Sequence, residues 1–443
     1  MRFRLFIIFA GLSVTSLSSL AAQDSARAQI DARVKKESSS LLALYKELHS
    51  HPELSFQEQH TSKSVAEEFK KAGCEVTTGI GRTGVVGVLR NGTGPTVLVR
   101  TDLDALPVKE QTGLPYASTV TTKDLQGNEV PVMHACGHDI HMSCAVGTAR
   151  LLARLKDRWH GTVVLIGQPA EEKGGGARAM LADGLFQKFP IPNFCLALHD
   201  DTELEAGKIG YTPGFAAANV NSVDVTVYGV GGHGAHPDRT KDPIVLAAQI
   251  VLALQTIVSR EIAPGEPAVV TVGSIHGGTK HNIIPDEVRL QLTVRSYTDA
   301  VKNKALESIQ RIVHGQAVAA GLTEDRMPTV KMSEDMTPAL YNSPELTERI
   351  VSVFKKEFGE ANVVEKRPTM GGEDFSEYGR TGDKIPVFMF NLGAVRPEAI
   401  KEYEQTGKPL PSLHSPLWAP DAEPTIEAGV RAMTLAVLDL MRQ

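Results

Sequence analysis

Three apolar runs in the first two hundred residues end on groups able to hold a cation, and that repetition limits the folds open to this chain. Residues 96–100 run into Thr101-Asp102-Leu103-Asp104, residues 161–166 precede Gln168-Pro169-Ala170-Glu171-Glu172, and residues 194–198 deliver His199. Short, continuous apolar runs read as strands buried on both faces. Open α/β sheets gather their ligands beyond the carboxyl ends of such strands. Helical spacing predicts helices over residues 23–50, 58–72, 142–155 and 177–185. Asn91-Gly92, lying between apolar runs at 85–89 and 96–100, signals a hairpin.

The densest cluster is Met133-His134-Ala135-Cys136-Gly137-His138-Asp139-Ile140-His141. Soft sulfur beside imidazole suits zinc and its neighbours. Gly137 has no side chain, so the backbone can bend there and aim Cys136 and His138 at one locus. Their candidate partners are Asp102, Asp104, Glu171, Glu172, His199 and His414. Cys136, His138, Glu172, His199 and His414 supply more donors than the four or so positions of one zinc ion. The surplus points to two metals sharing a ligand, a role a thiolate can fill. Of the adjacent pair Glu171 and Glu172, one can ligate while the other takes a proton from water and passes it to a leaving amine. Asp104 is a candidate to hold a ligand imidazole in its tautomer. A second dense feature is Gly231-Gly232-His233-Gly234-Ala235-His236-Pro237, where a glycine-flanked imidazole can approach a substrate closely.

From 216 to 332 the pattern changes. Residues 221–228 alternate, 243–259 read as an apolar helix, 269–275 and 288–296 as strands, and 298–320 as a long helix. This order fits a small α+β unit with its helices on one sheet face. Such a sheet leaves an edge, and edges invite pairing, so a homodimer through this unit is expected. The α/β pattern then returns: a helix capped by Ser343 through 358, a strand at 387–392, His414 in the Pro-rich loop 409–416, and a closing helix at 423–441. The expected architecture is two-domain α/β. A large catalytic domain with a central mixed sheet (23–215 and 333–443) carries an inserted α+β dimerisation or lid domain (216–332), with hinge-like joins near 215 and 335.

The net charge of −6 and the lack of any Lys/Arg run give no argument for nucleic acid. The four cysteines are too scattered for a disulfide framework. Arg2 and Arg4, an apolar run at 5–12, and Leu20-Ala21-Ala22-Gln23 have the layout of a secretory signal over 1–22, cut after Ala22 or after Ala28. The mature protein is expected in the periplasm or outside the cell, free of the membrane, since no later stretch reads as long and apolar enough to span.

Taken in order, the boxes Arg-Thr-Asp-Leu-Asp-Ala-Leu-Pro, His-Ala-Cys-Gly-His-Asp, Glu-Glu-Lys-Gly-Gly-Gly, Gly-Gly-His-Gly-Ala, Asn-Ile-Ile-Pro-Asp, Gly-Gly-Glu-Asp-Phe and Leu-His-Ser-Pro resemble those of the N-acyl-amino-acid amidohydrolases. These form the hippurate hydrolase and indole-acetyl-amino-acid hydrolase branch of the aminoacylase-carboxypeptidase metallopeptidases. The resemblance runs from about residue 38 to the C-terminus. It implies two divalent ions, zinc or manganese, bridged by Cys136 and held otherwise by His138, Glu172, His199 and His414. Glu171 would be general base and acid, and Asp104 would orient the site. A histidine of the inserted domain would cross to the partner's site to steady the oxyanion; His233 matches, with His236 the alternative. Asn282 and Arg295 would hold the substrate's amide oxygen or carboxylate, and Gly371 and Gly372 would form a backbone recognition turn. The implied reaction is hydrolysis of N-acyl-amino acids, or of the C-terminal residue of short peptides. A dipeptidase or carboxypeptidase of the same chemistry is the nearer alternative, and a non-catalytic binding protein the farther one. One departure bears on pocket shape: Asp200-Asp201-Thr202 follows His199 where apolar or proline-bearing residues are expected.

Overall fold

The structure, a computed structural model, describes residues 14–333 and 336–442, with side chains from residue 28 onward. Most of the expected signal segment therefore lies outside the described residues. The first half contains α1 (Val14–Ser50), α2 (Gln59–Lys71), β1 (Glu75–Ile80), β2 (Gly84–Asn91), β3 (Thr96–Asp102), α3 (His138–Arg154), β4 (Gly161–Gln168), β5 (Phe194–Glu205) and β6 (Ile209–Tyr211). The middle contains β7 (Asn219–Tyr228), α4 (Pro243–Leu254), β8 (Ala268–Gly277), β9 (Glu287–Ser296), α5 (Asp299–Ala319) and β10 (Thr329–Met332). The last part contains α6 (Pro344–Phe358), β11 (Val363–Glu365), β12 (Val387–Val395) and α7 (Ala422–Leu440).

The large sheet has eight strands in the order β1-β2-β4-β3-β5-β12-β6-β11 and is mixed. At its centre β4, β3, β5 and β12 run parallel, so their carboxyl ends open on one side. Helices α1, α3 and α7 pack on one another and cover one face. Met180, Phe186, Phe375 and Tyr378 belong to the core on the other face. The second sheet, β8-β9-β7-β10, is antiparallel throughout and drawn wholly from residues 219–332. Val223, Val225 and Val227 point inward as their alternation demands, into a core shared with α4 and α5.

Several expectations change. Asn91-Gly92 does not close a hairpin, because β4 lies between β2 and β3 and pairs with both. β2 is buried along most of its length and needs a partner on each edge. The Asn91 amide instead donates to the carbonyls of Lys156 and Trp159. Helix α3 starts at His138, four residues before its expected beginning, so a metal-ligand candidate sits in its first turn. Ser343 occupies the cap position of α6 but makes no side-chain cap bond; Pro344 starts the helix instead. β5 runs on to Glu205, which puts His199 inside the strand rather than at its end. Pro243–Glu261 is long and apolar enough to cross a membrane by length and composition, contrary to the sequence reading. Its Leu246, Ala247, Ile250 and Leu254 are nevertheless buried against the small sheet.

Candidate metal centre

The five expected ligands come from four places in the fold and meet beyond the carboxyl ends of β3 and β4, beside the middle of β5. Cys136 and His138 flank Gly137, whose φ is +79°. A β-carbon there would lie 2.2 Å from Asp200 Oδ2, so only glycine lets this loop sit against β5. The Cys136 Sγ is 3.5 Å from His199 Nε2. His138 Nε2 lies 3.9 Å from a carboxylate oxygen of both Glu171 and Glu172. His414 Nε2 is 3.4 Å from Glu172 Oε2. Its backbone N–H donates to Ala135 O at 2.8 Å, tying the C-terminal loop to the cysteine. Two donor triads result, Cys136-His138-His199 and Cys136-Glu172-His414, and Cys136 belongs to both.

The donor set fits divalent cations. His138 Nε2 and Glu172 Oε1 are buried without a hydrogen-bond partner; an orphaned polar group costs about 1–3 kcal/mol, and a cation between them removes that cost. The His138 Nδ1–H donates to the Asp104 carbonyl at 2.7 Å, and the His199 Nδ1–H donates to the Asp200 carbonyl at 3.0 Å. Both rings thus turn Nε2 toward the site. Burial, followed by the neighbouring His141, lowers His199 to about 3, keeping it neutral as a metal ligand must be. Burial and the Glu172 carboxylate hold the Cys136 thiol well above its ordinary value, and a cation supplies the charge that reverses this.

Asp104 acts through two atoms. Its carbonyl orients His138, while its carboxylate accepts from the Ser55 hydroxyl (2.7 Å) and from the backbone N–H groups of Glu171 and Glu172 (3.1 Å each). Asp102 accepts from His141 Nδ1 at 2.8 Å and Arg100 Nη1 at 2.6 Å. Arg100, fully buried, also donates to Gln168, Glu373 and Asp374. Removing one partner from such a network costs about 3–5 kcal/mol, so this guanidinium rivets β3 to the 371–374 turn. Burial, then the carboxylates of Glu373 and Glu172, raise Glu171 well above the usual carboxylate range.

The centre opens into a cleft of about 1110 Å³ between the two sheets. Arg295, Gly371 and Gly372 line it. The Arg295 Nη1 donates to Met370 O at 3.3 Å, and this half-buried guanidinium has no carboxylate partner among the described residues. A β-carbon on Gly372 would meet Val220 at 2.3 Å, so glycine lets the turn lie against the inserted unit. His233, His236 and Asn282 are not brought to this cleft; they are exposed beside a two-residue ladder in the inserted unit. The unusual Asp200 and Asp201 do line the cleft, and Asp201 pairs with Lys366 at 3.1 Å. Sequence reasoning gave no role to Arg100, Glu373, Asp374 or Ser55. The Gly-Gly-Glu-Asp-Phe box contains Glu373 and Asp374, and the Arg-Thr-Asp-Leu-Asp box opens on Arg100; these were the available signals, and Ser55 had none.

A mixed α/β sheet with an inserted α+β unit and a Cys/His/Glu donor cluster at its strand ends defines a metal-dependent hydrolase of amide bonds. The chain belongs to the peptidase family M20/M25/M40, whose profile matches residues 98–407. Among its relatives, thermostable carboxypeptidase 1 of Saccharolobus solfataricus is 38% identical over 357 residues, 80% of this chain and 85% of that one. Hippurate hydrolase of Campylobacter jejuni is 38% identical over 332 residues, 74% of this chain and 82% of that one. A solved structure of a dinuclear metal-binding peptidase of the M20 family from Bacillus subtilis superposes with a TM-score of 0.74 at 29% identity, covering 92% of this chain and 100% of that one.

Proposed function

We propose that this protein is an exported, homodimeric two-metal amidohydrolase acting on N-acyl-amino acids. The observation that carries this reading is the convergence of Cys136, His138, Glu172, His199 and His414, with Glu171 beside them. Those five residues would hold two divalent ions, zinc or manganese, Cys136 being common to both donor triads. When bound, the ions supply Lewis acidity to the substrate carbonyl and to water. Glu171 takes the proton from water and delivers it to the leaving amine; its raised proton affinity suits a group that must both accept and donate. Asp104 fixes the backbone under Glu171 and Glu172. Arg295 pairs with the substrate carboxylate, beside the turn at Gly371 and Gly372.

The dimer forms through the inserted unit. Ile244, Val245 and Leu252 of α4 and Ile275 of β8 are exposed, and β8 is an edge strand. Across that interface His233, or in its place His236, reaches the partner's cleft and steadies the oxyanion, with Asn282 beside it. Residues 1–22 direct export; N-terminal sequencing of the mature protein should begin at Gln23 or just after Ala28, and an intact Met1 would contradict it.

A second reading, cleavage of the C-terminal residue of short peptides, is favoured by the likeness to a carboxypeptidase. Assaying hippurate, N-acetyl-amino acids and dipeptides separates the two. The expected result is faster turnover of the acyl-amino acids, abolished by chelator. Glu171→Gln should lower kcat by about 10²–10⁴-fold while keeping the metal. Chelator-resistant turnover, or full activity of Glu171→Gln, would refute the assignment.

A further inference from the structure

Glu58 is a buried carboxylate with no cationic partner among the described residues. It accepts from the backbone N–H groups of Phe56 and Ala170, at 2.8 Å each, and from the Thr83 hydroxyl. Burial, then the nearby Asp104 carboxylate, push it up to about 7. A buried acid left without a counter-charge is costly, so its placement calls for a reason.

The reason lies in what its donors have in common. Five described non-glycine residues have positive φ: Phe56 (63°), Arg82 (85°), Ala170 (49°), Lys384 (48°) and His414 (65°). Two of these donate to Glu58, and a third, Arg82, directly precedes Thr83. The Arg82 guanidinium also lies 4.3 Å from the centre of the Phe56 ring, closing the cluster. A left-handed backbone crowds the β-carbon against the following carbonyl oxygen, so Glu58 sits where three strained loops meet. One of them matters for the site: Ala170 immediately precedes Glu171 and Glu172 and caps the single helical turn that carries them. Three successive N–H groups, at 170, 171 and 172, are thus held by two carboxylates, Glu58 from one side and Asp104 from the other.

We propose that Glu58 is a positioning residue, holding Ala170 in the left-handed conformation that aims Glu171 and Glu172 into the centre. The proposal rests on the two-metal amidohydrolase reading. Three variants test it in the full-length protein. Glu58→Met fills a similar volume without the carboxylate oxygens, and Glu58→Ala is made in parallel so that one misfolded variant leaves the other. Glu58→Gln keeps an oxygen for Phe56 and Ala170, and the Thr83 hydroxyl can turn to accept from its amide. Glu58→Met should lose about 10²-fold in kcat, as for a misplaced catalytic group, with KM little changed. Amide exchange of the 168–175 segment should speed up while α3 stays protected. Glu58→Gln should retain most of the activity. Adding Ala170→Gly to Glu58→Met should recover part of the loss, because glycine takes positive φ freely; a purely global stabiliser would not be suppressed this way. Wild-type turnover in the folded Glu58→Met protein, unchanged exchange at 168–175, or no recovery with Ala170→Gly would overturn the proposal. If the wild type shows no chelator-sensitive turnover the parent reading fails, and the exchange experiment still decides whether Glu58 holds the turn.

Discussion

His49 lies behind the cysteine loop with a carboxylate on each ring nitrogen: Asp139 at 2.6 Å from Nδ1 and Glu110 at 3.1 Å from Nε2. Burial alone would lower its proton affinity, but the two carboxylates outweigh it and raise the pKa to about 10. The unfolded value is near 6.5. The folded form therefore binds the proton more tightly, and this stabilisation is complete below about pH 6.5 and lost as pH rises toward 10. Urea midpoints of the wild type should fall between pH 7 and pH 10. His49→Gln should flatten that dependence and cost about 3–5 kcal/mol at pH 7, the usual result of breaking a buried pair. A wild-type curve as flat as the variant's would count against the charged imidazole. At this scale the donor cluster was legible in the sequence, because the chemistry of a cation restricts which residue types can serve and Cys136 and His138 are near neighbours in the chain, and the fold does bring the candidate donors together. Arg100 and Glu58 were not legible. Their partners lie as far as 274 and 112 residues away, and although Arg100 opens one of the quoted boxes, neither side chain carries a mark of what it will touch.

Among the elements, β4 shows where local signals fail. Asn91-Gly92 is a good turn, yet the turn spans a strand's width because β4 inserts between β2 and β3. Turn chemistry fixes a local bend, whereas pairing is decided by which buried edges need partners. The inserted unit read more faithfully. Alternating burial along β7 and β9 follows from their period-two sequences, and Thr298 caps α5 by accepting from the Val301 N–H. β10, with three of its four residues exposed, and the two-residue ladder at 232–233 and 283–284 gave too weak a pattern to find. Helix α4 makes a testable exception to burial: beside its buried face it leaves Ile244, Val245 and Leu252 exposed, Leu252 at 72%. If α4 lies in the dimer interface, Leu252→Glu should turn dimer into monomer in light scattering, with little change in the thermal midpoint of the fold. A monomeric wild type would remove the basis for that role.

At the scale of the whole molecule, the cleft is lined by Cys136, Glu171, Glu172, His199, His414, Arg295, Gly371 and Gly372, with His138 and Asp104 buried behind it, while the 233–236 and 282 loops lie elsewhere. If His233 serves the partner's cleft, two dead variants should repair each other. Glu171→Gln and His233→Ala, each inactive alone, should regain about a quarter of wild-type activity when dissociated and reassorted, since half the dimers are mixed and each carries one intact site. No recovery on mixing would return His233 to its own chain or remove it from catalysis. The central claim, that side chains from position 136 to position 414 enclose two cations, is tested most directly by metal content. Elemental analysis of the purified protein should find two divalent ions per chain, and Cys136→Ala should lose metal because both donor triads include that sulfur. One ion or none per wild-type chain, or undiminished metal in Cys136→Ala, would contradict it.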